Sequence, residues 1–176
     1  MIIFMGVAGA GKSVQGRRLA DELALPWVST GEFLRMLVTG DRRREMLVGK
    51  LLEDAEIISM ADRIFHMINI NQEFILDGFP RTAPQAQWLL AQHKAGLLKI
   101  SMVINLQASE EVVIERLLGR GRQDDTRESI AKRFTEYNAV TLPIIQEFEN
   151  NGVTVHHVDA ARTPEEVHDT IMPLLK

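Results

Sequence analysis

The 176-residue chain contains no cysteine. That removes disulfides, thiolate zinc sites and cysteine nucleophiles together, and it suits a reducing compartment. A basic surplus is missing as well: net charge is −4 and the pI about 5.7, which argues against non-specific nucleic-acid binding. No apolar stretch approaches 18 residues, so no membrane span is expected. The N-terminus has no basic region ahead of its apolar run, which therefore does not read as a signal peptide, and the cytoplasm is the expected setting. Internal repeats and low-complexity segments are absent too. What remains, 45% hydrophobic and 25% charged residues, is the composition of one soluble globular domain with room for small insertions.

The most informative segment is the first thirteen residues. A short apolar run, Met1-Ile2-Ile3-Phe4-Met5, leads into Gly6-Val7-Ala8-Gly9-Ala10-Gly11-Lys12-Ser13. This fits G-x-x-x-x-G-K-[ST], a loop that wraps nucleotide phosphates. Glycines let backbone amides crowd a polyphosphate, Lys12 reaches the outer phosphates and Ser13 can meet Mg²⁺. The run before it reads as a buried strand. Ser13 to Ala24, apolar at Leu19 and Leu23 with Leu25 just beyond, reads as a helix, so the loop stands at a helix N-terminus. The dinucleotide fingerprint fails, because the glycines run G-x-x-G-x-G.

Five strands are predicted: Ile2–Met5, Pro26–Val28, Phe74–Asp77, Ser101–Leu106 and Val153–Val158. Helical patterns between them give β–α alternation, hence an α/β fold with a parallel five-stranded sheet flanked by helices on both faces. Thr163-Pro164-Glu165-Glu166 is a capping box with Pro at the first helical position, and Val167, Ile171 and Leu174 follow on one face. Ser109 caps a helix whose first turn carries Glu110 and Glu111. Asp125, with Glu128 three residues on, could open another. Two stretches do not read as core: Gly40 to Ala55, with Arg42-Arg43-Arg44 in its middle, and Gly119 to Arg127. The triple arginine reads as a solvated helix face, and the histidines at 156 and 157 as structural.

The 20 basic residues divide into 14 Arg and 6 Lys, and position gives this bias its meaning. Asp77 ends a buried apolar strand, where open α/β sheets bind ligands. It is either a Mg²⁺ partner through water or a strand-end cap. Arg81 stands just before an expected helix start in which Thr82 is the N-cap and Gln85 closes the box. A cation there opposes the helix dipole, as Lys12 does in the phosphate loop, unless an anion is bound. Gln85 could instead read a base edge; spacing alone favours the cap. Arg116 and Arg120 share a helix face and Arg122 follows. They read as a solvated stripe, as local pairs with Asp124 and Asp125 worth little, or as phosphate ligands. Bringing a phosphate monoester against a polyphosphate costs on the order of 10 kcal/mol at an effective dielectric of about 20. One Lys and one Mg²⁺ do not cancel that, whereas arginines converging from several segments can.

These residues resemble the adenylate kinases, within the P-loop nucleoside monophosphate kinases. GVAGAGKS is similar to that family's phosphate loop and VSTGEFLR to its STGD-x-x-R segment. FILDGFPRTAPQA is similar to its LDGFPRT-x-x-QA signature, and ERLLGRGRQDD followed by AKR to its lid arginines and trailing arginine. The resemblance covers essentially the whole chain. It implies a core of 1–29, 60–116 and 127–176, an acceptor-side insertion at 30–59 and a short lid at 117–126. It assigns Gly9, Ala10, Gly11, Lys12, Ser13, Val14, Arg116 and Arg120 to ATP. To AMP it assigns Thr30, Arg35, Ile58, Gly78, Arg81, Gln85, Arg122 and Arg133. Here Thr30 and Gln85 lie against the adenine, which reverses the spacing-based preference for Gln85. Lys12, Arg81, Arg120, Arg122 and Arg133 become the catalytic cations. Asp77, through water, and Ser13 would hold Mg²⁺.

The implied activity is reversible transfer from Mg·ATP to AMP giving two ADP, by a monomer without nucleic-acid or membrane partners. A UMP/CMP kinase, a GTP-dependent AMP kinase, or a nucleotide sensor without turnover are the alternatives. Several residues depart from the family pattern. Ala8 stands where Pro is usual, Ser13-Val14 replaces Gly-Thr, Glu32 replaces Asp, and only Gly121 separates Arg120 from Arg122.

Overall fold

The computed structural model describes residues 1–47, 52–123 and 125–175. Asp124 and positions 48–51 of the Gly40–Ala55 stretch lie outside the described residues. The chain alternates as expected. β1 (Ile2–Gly6) leads through the phosphate loop to α1 (Lys12–Leu23), then to β2 (Trp27–Ser29), α2 (Thr30–Leu37), α3 (Gly40–Leu47) and α4 (Asp54–Met67). β3 (Ile75–Asp77), α5 (Ala83–Lys94), β4 (Met102–Gln107), α6 (Glu110–Arg120) and α7 (Arg127–Glu136) follow. A π-helical turn, Tyr137–Thr141, runs into α8 (Pro143–Asn150), β5 (Val155–Asp159), α9 (Pro164–Ile171) and a closing 3₁₀ turn. Among the described residues, no helix is long and apolar enough to cross a membrane.

The sheet order is β2–β3–β1–β4–β5, every pairing parallel. A parallel sheet is covered on both faces, so its central strands read as unbroken apolar runs; all five residues of β1 are buried. Alternate side chains sort into two cores. Ile3 and Met5 join Leu76, Leu89 and Phe148 under α4, α5 and α8. Ile2 and Phe4 join Leu19, Ile104, Leu117 and Ile171 under α1, α6 and α9. Each such side chain contributes roughly 1.5–3 kcal/mol over leaving it in water.

The caps show where local sequence decided and where tertiary contact overrode it. The Thr163–Glu166 capping box forms in full, and Ser109 accepts from the Val112 N–H. Asp125 does not open α7: Thr126 caps it, accepting from the Ser129 N–H at 3.2 Å. Asp125 is withdrawn by two arginines. At α5 the expected box is also replaced. Thr82 makes no cap bond, its hydroxyl donating to Asp54 Oδ1 at 2.6 Å, and Gln85 Oε1 accepts from the Arg81 N–H at 2.8 Å. Of the apolar residues by which α1 was read, Leu19 is buried and Leu23 is exposed.

Candidate active site

The sheet topology puts the ends of β1, β2 and β3 side by side. Phe4 pairs with Asp77, and Asp77 with Ser29. The loops leaving these strands therefore converge, at the carboxyl edge where open α/β sheets hold ligands. Between them lies a cavity of about 780 Å³, within the range of small-molecule sites.

The phosphate loop forms one wall. Gly6 has φ +138°, and a Cβ there would meet the Leu106 carbonyl oxygen at 2.5 Å, so only glycine can turn the chain out of the sheet at this point. α1 begins after Gly11, which as N-cap offers no side chain, and has no acidic residue in its first turn, leaving an electropositive terminus. Lys12 Nζ donates to the carbonyls of Gly6 (2.7 Å) and Val7 (2.9 Å). Burial pulls its pKa down to about 8, with Arg81 and Arg120 pushing the same way and Asp77 opposing. Ser13 Oγ donates to Asp77 Oδ2 at 2.6 Å, and Asp77 is buried.

The opposite wall comes from β2, β3 and α2. Thr30 Oγ1 donates to the Asp77 carbonyl at 3.3 Å. Gly78 has φ +84°, and a Cβ would stand 2.9 Å from Thr30 Oγ1, so this wall also depends on a bare backbone. Arg81 Nε donates to the Gly78 carbonyl. Its guanidinium is open toward the cavity yet enclosed by protein. Burial lowers its pKa, with Arg133 and Arg35 adding to the effect and Asp77 working against it. Arg35 pairs with Glu32 at 2.6 Å.

Arginines from α6, α7 and the turn between them form the roof. Arg120 binds Asp125 through two nitrogens, at 2.8 and 2.6 Å, and Arg133 stands 3.5 Å from the same carboxylate. Burial raises the Asp125 pKa, but the bonds and charges of Arg120, the Arg122 N–H and Arg133 overcome it, for a net lowering. Arg116 is tied to the carbonyls of Ala160 (2.7 Å) and Arg162 (2.8 Å).

Every residue that the resemblance assigns to ATP, AMP or Mg²⁺ lines this cavity except Ile58. On α4 it is Ile57, with Leu52 just before the helix, that faces the cavity. Ile58, about 100° round the helix, packs instead against the core. Sequence reasoning missed Arg43, whose Nη1 donates to the Arg35 carbonyl at 2.5 Å and which also lines the cavity. Its neighbours match the solvated-face reading, Arg42 pairing with Glu56 and Arg44 with Asp41. Asp54 was missed too, since nothing in local spacing marks it as a partner of Thr82 and Gln85. Among the described residues there is no group of three or more His, Asp or Glu able to hold a metal by themselves.

A phosphate loop, an acidic strand end and arginines from several segments around one cavity are matched by a known family. The adenylate kinase family model covers residues 4–153. The chain belongs to the adenylate kinase family. Similar proteins named adenylate kinase include one from Leptospira biflexa, 36% identical over 182 residues and covering 97% of each chain. One from Corynebacterium urealyticum is 33% identical over 177 residues, 97% of this chain and 96% of its own. One from Porphyromonas gingivalis is 34% identical over 187 residues, 99% and 94% respectively. This member of the adenylate kinase family is thus a phosphotransferase, and its parallel sheet and flanking helices are those expected of the fold.

Proposed function

We propose that the protein catalyses reversible phosphoryl transfer from Mg·ATP to AMP, giving two ADP. The supporting observation is the gathering of Lys12, Arg35, Arg81, Arg120, Arg122 and Arg133 around one cavity in a chain of net charge −4. Such a site focuses positive potential where two polyanions must meet.

In this reading the phosphate loop, Lys12, Val14 and Arg116 hold the donor, while Thr30, Arg35, Gly78, Arg81 and Gln85 hold the acceptor. Arg120, Arg122 and Arg133 neutralise charge on the group in flight. The attacking oxygen belongs to an already ionised phosphate, so no general base is required; the protein supplies alignment and charge compensation. Residues 30–59 and 117–126 cover the acceptor and donor, excluding water that would otherwise take the phosphoryl group.

The Ser13 hydroxyl and the Asp77 carboxylate, 2.6 Å apart, are hard oxygen donors in the small number that suits Mg²⁺, which keeps most of its waters and takes the rest of its ligands from phosphates. Bound there, the ion would neutralise and orient the donor's phosphates. The proposal includes a cytoplasmic, monomeric protein, which fractionation and size-exclusion chromatography check.

A coupled assay for ADP from ATP plus AMP, run beside UMP, CMP and GMP, tests the activity. ADP formation with AMP is expected, and a preference for UMP or CMP would overturn the acceptor assignment. Arg81→Ala is expected to raise KM for AMP far more than KM for ATP; an unchanged AMP KM would remove Arg81 from the acceptor side.

A further inference from the structure

The Gln85 amide is held in one orientation by two groups of opposite character. Its oxygen accepts from the Arg81 N–H at 2.8 Å and its nitrogen donates to Asp54 Oδ1 at 2.8 Å. Rotating the amide by half a turn would set carbonyl against carboxylate and NH₂ against N–H, so the orientation is dictated by chemistry. Gln85 is 3% exposed and lines the cavity. Asp54 is fixed in its turn, receiving the Thr82 hydroxyl on the same oxygen at 2.6 Å. After these bonds the amide keeps one N–H and one oxygen lone pair.

That remainder is a donor and an acceptor in fixed order. The edge of a 6-aminopurine offers an amino donor and a ring-nitrogen acceptor. A 6-oxopurine offers the reverse, a carbonyl acceptor and a ring N–H donor, so it pairs with an amide only after the flip that Asp54 and the Arg81 N–H together oppose. A site whose polar groups are arranged for one pattern rejects the other strongly, because its groups are left unpaired.

We propose that Asp54 is a positioning residue for acceptor selection: by locking the Gln85 amide it commits the pocket to 6-aminopurine monophosphates and against 6-oxopurine ones. This rests on the reading of the cavity as the acceptor site. The test is the ratio of kcat/KM for AMP to that for IMP, measured on the full chain with ATP as donor.

Asp54→Ala, which removes the acceptor atom, is expected to lower that ratio at least tenfold through faster use of IMP. Asp54→Asn, which can keep an oxygen facing Thr82 and Gln85, is expected to retain it. Should the alanine variant not fold, Asp54→Ser, too short to reach Gln85 but tolerated at a helix start, is expected to show the same relaxation. An unchanged ratio, with both acceptors slowed alike, would show that Asp54 only supports the fold and would overturn the proposal. Equal use of AMP and IMP by the unmodified protein would overturn it at Gln85. Failure to form ADP with any acceptor would instead bring down the underlying assignment of the site.

Discussion

Glu32 and Arg122 stand 90 positions apart in the chain and meet in the cleft, Glu32 Oε1 lying 3.5 Å from Arg122 Nη2. The same oxygen takes a 2.6 Å bond from Arg35 Nη2. One carboxylate thus joins the acceptor wall to the roof, between two cations assigned to phosphate.

A phosphate monoester arriving between Arg35 and Arg122 competes with Glu32 for both. The Arg35 hydrogen bond, then the charges of Arg35, Arg122 and Arg17, hold the Glu32 pKa below the usual carboxylate range despite opposing burial, so it competes as an anion. Glu32→Gln is therefore expected to lower KM for AMP by up to about fivefold, equivalent to roughly 1 kcal/mol for a solvent-screened charge contact. Steady-state kinetics at saturating ATP checks this. A raised KM would mean that Glu32 instead braces the two arginines for the phosphate.

Lys12 gives the cleft a pH dependence on the alkaline side. Its pKa is pulled to about 8 in the free protein, and bound phosphates favour the charged form and raise it. Nucleotide binding should therefore take up a proton above about pH 8 and none at Lys12 well below it. Calorimetry in buffers of different ionisation enthalpy, at pH 7 and pH 8.5, is expected to show the extra uptake only at the higher pH. In Lys12→Met that difference should vanish.

Asp125 is an acid-sensitive group of the roof. Its folded pKa lies below the usual Asp value, through Arg120, the Arg122 N–H and Arg133 working against burial. Its contribution is therefore present above an unfolded pKa of about 3.9 and is lost as pH falls through the folded value. Asp125→Asn is expected to cost roughly 1–3 kcal/mol at pH 7 by weakening charge-assisted hydrogen bonds. Urea unfolding should show the gap between wild type and variant narrowing at pH 3 to 3.5.

The roof is short: only residues 121–126 separate α6 from α7. With little chain to fold over the donor, the ratio of ATP hydrolysis to transfer is expected to exceed that of a family member with a full-length lid. Phosphate release measured beside ADP formation gives the comparison, and a ratio no higher than the relative's would count against it.

The sheet was legible because parallel strands write themselves as apolar runs, and its residual errors have local causes. The last strand starts at Val155, not Val153, because the Val153 N–H is spent on the Phe148 carbonyl closing α8. The second starts after Pro26, which has no N–H to give, although its carbonyl still accepts from Ile75. The phosphate loop was readable from its motif, and Lys12 and Arg81 because a cation at a helix N-terminus is electrostatically misplaced without an anion; the other arginines took their assignments from the family resemblance. Asp54 was not readable: a carboxylate at a helix start ordinarily caps it, and only the folded chain reveals Thr82 and Gln85 as its partners. Asp125 read either as a cap or as a partner of the nearby arginines; the fold selects Arg120 and adds Arg133 from the next helix. The π-helical turn at Tyr137–Thr141 has no signature in the apolar spacing either, since it shifts a helix by a single residue.

Asp125 grips Arg120 at the end of one helix and Arg133 within the next. One carboxylate thus sets the spacing of two guanidiniums on successive helices. Loss of that single carboxylate would disturb both cations at once, so the geometry of the roof hangs on a residue that itself has no place against the nucleotides.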